Sequence, residues 1–295
     1  MHRSLTDPPE RSRGRTSASR RTWPLDGARG ERWGVAVFFA LSSVAFAIEP
    51  KVQVKDVSLA GNRSSVVAIV EGPALPVTIT LEAGAAYENC TPSIALPMRR
   101  LVTRAGETEL LEVKQATAGQ RWRCAYTFKT QLGDLDRTAP EDCSVGLPFR
   151  PTGGFQVIQG FDGALTHKDR VRHALDFAMP EGTPVLAARD GVVTWIQDDE
   201  RDGTRSGGNL VSVLHRDGTL TQYAHLKRGS AVVREGQSIS RGSVIAQSGS
   251  TNDTPVAPHL HFEVFVNPGN ERKTLPFTLS LPGGACRVPR EGEQF

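Results

Sequence analysis

The chain has 295 residues, of which 38% are hydrophobic, and carries 35 Lys and Arg against 32 Asp and Glu. That length accommodates two ordinary domains, and the apolar share suits globular packing and excludes disorder throughout. The first 47 residues hold 8 of the basic and 4 of the acidic side chains, so the remainder carries 27 against 28 and is near neutral. No concentrated basic face is available to grip nucleic acid.

Residues 1–47 read as an export signal. A basic stretch to Arg32 is followed by fifteen uncharged residues, Trp33 to Ala47, and Ala45, Phe46, Ala47 is the small-x-small pattern that a signal peptidase cuts. The apolar run is short for a membrane span; the alternative is an uncleaved amino-terminal anchor. Four cysteines, Cys90, Cys124, Cys143 and Cys286, form an even set in an exported chain, for which disulfides are the default. Their pairing stays open, with Cys124 bonded to Cys143 or Cys90. No Cys-x-x-Cys spacing points to a thiolate zinc site or a redox dithiol.

Residues 48–145 predict a β-rich accessory domain of β-sandwich type. Short runs such as Val66 to Val70, Val77 to Leu81 and Trp122 to Phe128 alternate with Gly, Pro and Asn clusters, and no His, Asp or Glu group has site-like spacing there. A linker with Gly133, Pro140 and Pro148 leads to a second domain over 146–270, followed by a carboxyl-terminal tail, 271–295. In the second domain Val185 to Ala188, Val192 to Ile196, Leu210 to His215, Thr219 to His225, Ser243 to Gln247 and His259 to Val266 read as strands, and helical periodicity is absent. Asp217 and Gly218 form a tight hairpin turn between two of these runs, and Gly236 and Gly242 punctuate another hairpin. The expected fold is all-β, the second domain antiparallel.

The chemistry lies in that second domain. In an extended strand, His259 and His261 point to one face and Leu260 and Phe262 to the opposite, core face, so the two imidazoles can share a metal. A helical metal motif would instead place its histidines four residues apart. Asp176, in the apolar run Ala174 to Ala178, is the best carboxylate partner, because a buried lone carboxylate needs its charge met, and a metal meets it. A catalytic zinc takes three such ligands and leaves one position open for water.

The order of these residues resembles the lysostaphin-type, LytM-like zinc metallopeptidases. The likeness runs through Asp176, Pro180, Gly182, Thr183, Pro184 and Val185, then Ala188, Asp190, Gly191 and Val192, then Gly208 and Asn209. It continues through Tyr223, Ala224, His225, Leu226, the glycine-spaced hairpin Gly236 to Gly249, and His259 to Glu263. The resemblance implies a small antiparallel β domain with a groove holding one Zn2+, and a reaction on peptide cross-links of bacterial peptidoglycan, in the periplasm or cell envelope. It assigns Asp176 and His261 as zinc ligands. The family's His-x-x-x-Asp pattern is broken here, since Arg172 stands four residues before Asp176. His173 is three residues away and faces the opposite side of a strand. His167, in the polar stretch Thr166 to Asp169, lies on a loop free of that parity and is the favoured third ligand, with His173 packing beside the site.

By the same resemblance, His225 and His259 are the proton-transferring histidines, with the base role open between them. Zinc lowers the pKa of a water from about 16 towards about 7, and imidazoles with pKa near 6.5 can accept or return the proton. Each histidine's other ring nitrogen requires a carbonyl or carboxylate partner, and Glu263 shares the face of His261. Two other readings are weighed. A metal-free relative that binds cell wall and regulates another hydrolase would lack the ligand set. A lipoyl-type carrier would need a Lys at the tip of the Gly236 to Gly249 hairpin, where Ser240 and Arg241 stand. His215 ends a strand and has no assigned role, and Gly207 with Gly208 lacks the Lys and helix of a phosphate loop.

Overall fold

The computed structural model describes residues 50–59, 61–152, 154–201, 208–251, 257–267 and 271–295. The leader expected over 1–47 lies outside these residues, as does Gly207. The described strands pair antiparallel except for Leu279–Ser280 with Val145–Gly146, which run parallel, and short 3-10 turns lie at Asp169–Val171 and Pro282–Gly284.

In the amino-terminal part the strands are β1 (Lys51–Leu59), β2 (Arg63–Glu71), β3 (Val77–Glu88), β4 (Cys90–Pro92), β5 (Met98–Val102), β6 (Gly106–Gln115) and β7 (Arg123–Leu132). They form two sheets, ordered β1-β2-β6-β4 and β5-β3-β7. Val66, Ala68 and Val70 of β2, Ile79 and Leu81 of β3 and Leu111 and Val113 of β6 share one buried apolar cluster. Period-two patterning places these β-branched and leucine side chains inward, and burying each one fully contributes ~2 kcal/mol. A disulfide between Cys90 on β4 and Cys124 on β7 ties one sheet to the other.

The remaining strands are β8 (Val145–Gly146), β9 (Gln156–Gln159), β10 (Ala174–Ala178), β11 (Pro184–Leu186), β12 (Gly191–Gln197), β13 (Asn209–Leu214), β14 (Leu220–Leu226), β15 (Ser238–Ile239), β16 (Val244–Gln247), β17 (His259–Val266), β18 (Lys273–Thr274), β19 (Leu279–Ser280) and β20 (Cys286–Arg287). The main sheet runs β15-β12-β13-β14-β17-β10-β9, with β18 added to β17. Leu175, Phe177, Tyr223, Leu260, Phe262 and Val264 line its core face. Because side chains alternate, the residues between them face the other way. Antiparallel register brings Gln159, Asp176, His261 and Ala224 into one row across β9, β10, β17 and β14.

Two expectations are corrected. Residues 236–249 are no hairpin, because β15 bonds to β12 and β16 to β11 rather than to each other. Each strand of the pair meets a free edge elsewhere before it can meet its sequence neighbour. Nor is 271–295 a loose tail. Strand β19 pairs with β8 and β20, Phe277 and Leu279 join the core, and Phe295 exchanges two backbone hydrogen bonds with Phe155 at 3.1 and 2.9 Å. Leu275, Phe277, Leu279 and Leu281 alternate at period two in the sequence, and all four are buried. The second disulfide, Cys143–Cys286, fastens this segment to the start of the domain.

The two halves are in contact. Leu214, Leu220 and Phe265 of the main sheet belong to the amino-terminal apolar cluster. The hairpin tip predicted at Asp217 and Gly218 docks on the connecting segment, where the Asp134 N–H donates to the Gly218 carbonyl at 2.9 Å. Gly218 has φ 82°, and a Cβ there would lie 2.5 Å from Asp134 atoms, so both conformation and space require glycine.

Candidate metal centre and active site

Strand register places Asp176 beside His261, and their side chains meet: His261 Nδ1 lies 2.9 Å from Asp176 Oδ1. His167 comes from the long connection between β9 and β10 and is fully buried. Its Nδ1 lies 2.7 Å from the Gly160 carbonyl. A carbonyl only accepts, so Nδ1 carries the proton and Nε2 presents a lone pair. That Nε2 is buried without a hydrogen-bond partner, 3.1 Å from Asp176 Oδ2. Two acceptors facing each other in a buried pocket repel, unless a proton or a metal ion lies between them. One ligand atom from each of His167, Asp176 and His261 lies within 4.8 Å of the others. The orphaned nitrogen and the mixed imidazole and carboxylate donor set fit a zinc ion.

The cluster's electrostatics are those of opposite charges stabilising each other, and a metal ion would have to displace the shared protons. Burial works against the Asp176 charge, yet His167 and His261 hold its carboxyl well below the usual range. Burial also opposes a charge on His261, but hydrogen bonds to Asp176 and Glu263 push it up to about 9. Glu263 is fully buried, with Oε2 3.2 Å from His261 Nε2 and Oε1 3.1 Å from Arg272 Nη1. Arg272 also donates to Gln222 Oε1 at 2.9 Å. His261 therefore turns one nitrogen to the site and the other to a carboxylate.

His225 and His259 stand next to this cluster, their ring centroids 4.6 Å apart and His225 5.7 Å from His261. His225 Nδ1 donates to the Thr251 carbonyl at 2.9 Å and His259 Nδ1 to the Ala257 carbonyl at 3.0 Å, which leaves each Nε2 to exchange a proton. Burial, with His261 and His259 nearby, pushes His225 down to about 4. Strict alternation along β14 would send His225 to the core face with Tyr223. A register shift opposite Asn209 and Leu210 makes His225 a bulge residue with φ 61°, and the bulge re-aims its ring.

His173 lies apart from the cluster. Its backbone N–H donates to Thr274 Oγ1 at 3.2 Å, its Nδ1 lies 3.2 Å from the Thr274 carbonyl, and its ring stands edge-on to Phe161. His215 is buried away from the site, bonded to the Asp190 carbonyl and Thr221. Gln159, whose amide reaches both Asp176 and the loop carrying His167, has no signature in the sequence. Only the pairing of β9 with β10 discloses it.

A sheet face that brings two histidines and a carboxylate around one point, with two more histidines alongside, has the donor set of a metal-binding site. Residues 170–273 match the family described as Peptidase family M23. The matched span includes Asp176, His225, His259 and His261 and begins just after His167. The chain is 36% identical over 135 residues to the peptidoglycan DD-endopeptidase ShyA of Vibrio cholerae, covering 43% of this chain and 30% of that protein. It is 34% identical over 205 residues to peptidoglycan DD-endopeptidase ShyB of the same species, covering 60% and 46%. It thus spans less than half the length of these curated relatives. Among solved structures, the catalytic domain of lysostaphin from Staphylococcus simulans is 29% identical, with 38% of this chain and 77% of that one covered and a TM-score of 0.28.

Proposed function

We propose that this protein is an exported zinc-dependent endopeptidase that hydrolyses peptide cross-links or stem peptides of bacterial peptidoglycan in the periplasm or cell envelope. The observation that carries the reading is the convergence of His167, Asp176 and His261 donor atoms within 4.8 Å, Asp176 and His261 inside the stretch that matches Peptidase family M23 and His167 just before it. The DD-endopeptidase names of the relatives favour a peptidoglycan peptide as substrate. His167, Asp176 and His261 would hold the zinc. When bound, it supplies Lewis acidity that polarises a peptide carbonyl and brings a water's pKa near neutrality.

The protein's own side chains would do the rest. His225 and His259 are tautomerically fixed by backbone carbonyls, so their Nε2 atoms face the site ready to take a proton from water. The same nitrogens can return it to the leaving amine. Glu263 would hold His261 in orientation through its far nitrogen. The buried floor formed by Asp176, His225, His259 and His261 limits bulk water around the developing charge. The reading as a metal-free regulator rested on Arg172 standing where the family has histidine; His167 supplies the third donor atom from a longer loop, which favours the hydrolase.

The test is zinc content and muropeptide release by the purified protein beside His167→Ala and His173→Ala. The unmutated protein and His173→Ala should hold about one zinc per chain and release fragments, and His167→Ala should do neither. An unmutated protein that takes up no zinc and releases nothing with zinc supplied would favour the regulator.

A further inference from the structure

Gln159 ends β9 and stands directly opposite Asp176. It is 4% exposed, and its amide is fully engaged. Oε1 accepts from the backbone N–H groups of Leu165 and Thr166, both at 2.9 Å, while Nε2 donates to Thr166 Oγ1 at 2.7 Å and to Asp176 Oδ2 at 2.9 Å. A carboxamide offers two donors and two acceptor lone pairs, and all four are used here. The two N–H groups on one side fix which end is oxygen, so the other end can only donate to the carboxylate. Gly163 admits this packing, since a Cβ there would sit 2.2 Å from Gln159 Cγ.

We infer that Gln159 is a positioning residue of the metal centre, a single side chain that sets the loop carrying His167 against the strand carrying Asp176. The inference rests on the zinc-peptidase reading above. The loop's base has its own closure, through the Asp162 N–H donating to the Arg172 carbonyl at 2.7 Å and an exposed Asp162–Arg172 ion pair at 2.9 Å. Near His167, the backbone of Leu165 and Thr166 is instead anchored to Gln159. Removing the amide should therefore leave the loop attached but let His167 and Asp176 drift relative to each other. The His-x-x-x-Asp spacing of the family keeps its two ligands close on one segment; they are nine positions apart here, and Gln159 supplies the restraint that proximity in sequence does not.

The experiment compares the full protein with Gln159→Met, which keeps length and apolar stem but removes every hydrogen bond, and with Gly163→Ala. Zinc affinity is measured by competition with a chelating dye, the visible spectrum of the cobalt-loaded protein reports ligand geometry, and thermal unfolding of the metal-stripped protein reports the fold. Both variants should bind zinc about 10- to 100-fold more weakly and show an altered cobalt spectrum, while the metal-stripped protein still unfolds in one cooperative transition, at a lower temperature because buried polar groups lose partners or a clash is introduced. Affinity and spectrum unchanged in Gln159→Met would overturn the inference while leaving the zinc site intact. Should Gln159→Met fail to fold, Thr166→Val, which removes one loop-side bond, takes its place; several-fold weaker binding is expected, and unchanged binding overturns the inference. If the unmutated protein binds no zinc, the zinc-peptidase reading falls and this inference with it.

Discussion

His225 has φ 61°, the left-handed region that a side chain with a Cβ enters at a cost of about 1 kcal/mol or more. The bulge holds it there, and the return is a ring aimed at the groove instead of the core. Such strain predicts an asymmetry between two deletions of the imidazole. His225→Gly should be about 1 kcal/mol more stable to denaturant than His225→Ala, because glycine adopts this conformation freely. Equal stability of the two would mean that the bulge relaxes when the ring is lost. Both variants should lose muropeptide release under the proposed mechanism.

Among the elements, the β13–β14 hairpin has a polar root as well as an apolar body. Asp217 accepts from Arg189 at 2.8 Å and from the Thr219 hydroxyl at 2.7 Å, and the side chain is almost wholly buried. Burial raises its carboxyl, but Arg189 and Thr219 prevail and hold it at about 2. Burial and Arg189 push neighbouring His215 down to about 4, against the Asp190 carbonyl, Asp217 and Asp190, which favour its charge. Both folded-state values lie below the ordinary ones, so both groups stabilise the fold above their unfolded pKa and withdraw that support on acidification. His215 acts as pH falls from 6.5 to about 4, and Asp217 from 3.8 to about 2. Each is worth on the order of 2–3 kcal/mol. Denaturant titrations should show stability falling from pH 7 to pH 4, and His215→Gln should flatten that part of the profile. A variant profile parallel to the original would remove His215 from the account.

At the scale of the molecule, the chain is closed on itself by Cys143–Cys286, whose sulfurs join residues 143 positions apart. Long loops gain most from such a link, and loss of a native disulfide in an exported domain typically costs 2–5 kcal/mol. The paired Cys143→Ser, Cys286→Ser variant should therefore unfold at lower denaturant and release the 271–295 segment to protease first. His167, Asp176 and His261 lie on other elements, so under the proposed function zinc uptake at low temperature should persist. Protease resistance of the segment in the variant would show that Phe277, Leu279 and Phe295 hold it without the bond.

The strands of the second domain were legible because their apolar runs have period two and end at Gly, Pro and Asp-Gly. The His259-x-His261 pair needed only that same period to share a face, and Asp176 stood out as a carboxylate in an apolar run. Of the alternatives open for Cys124, the fold pairs it with Cys90, because β4 and β7 bring their Cα atoms to 6.0 Å. Other features had no local signature. Strand partners are chosen by free edges, which is why β15 and β16 part company. The aim of His225 depends on one inserted residue opposite Asn209, and the restraint on His167 depends on a glutamine whose amide is ordinary until β9 lies beside β10. The sequence by itself determined the strand pattern and the chemical types available, since both follow from short-range periodicity and side-chain identity. Tertiary structure alone decided which donors meet and how they are held, because that rests on register and loop closure between residues distant in the chain.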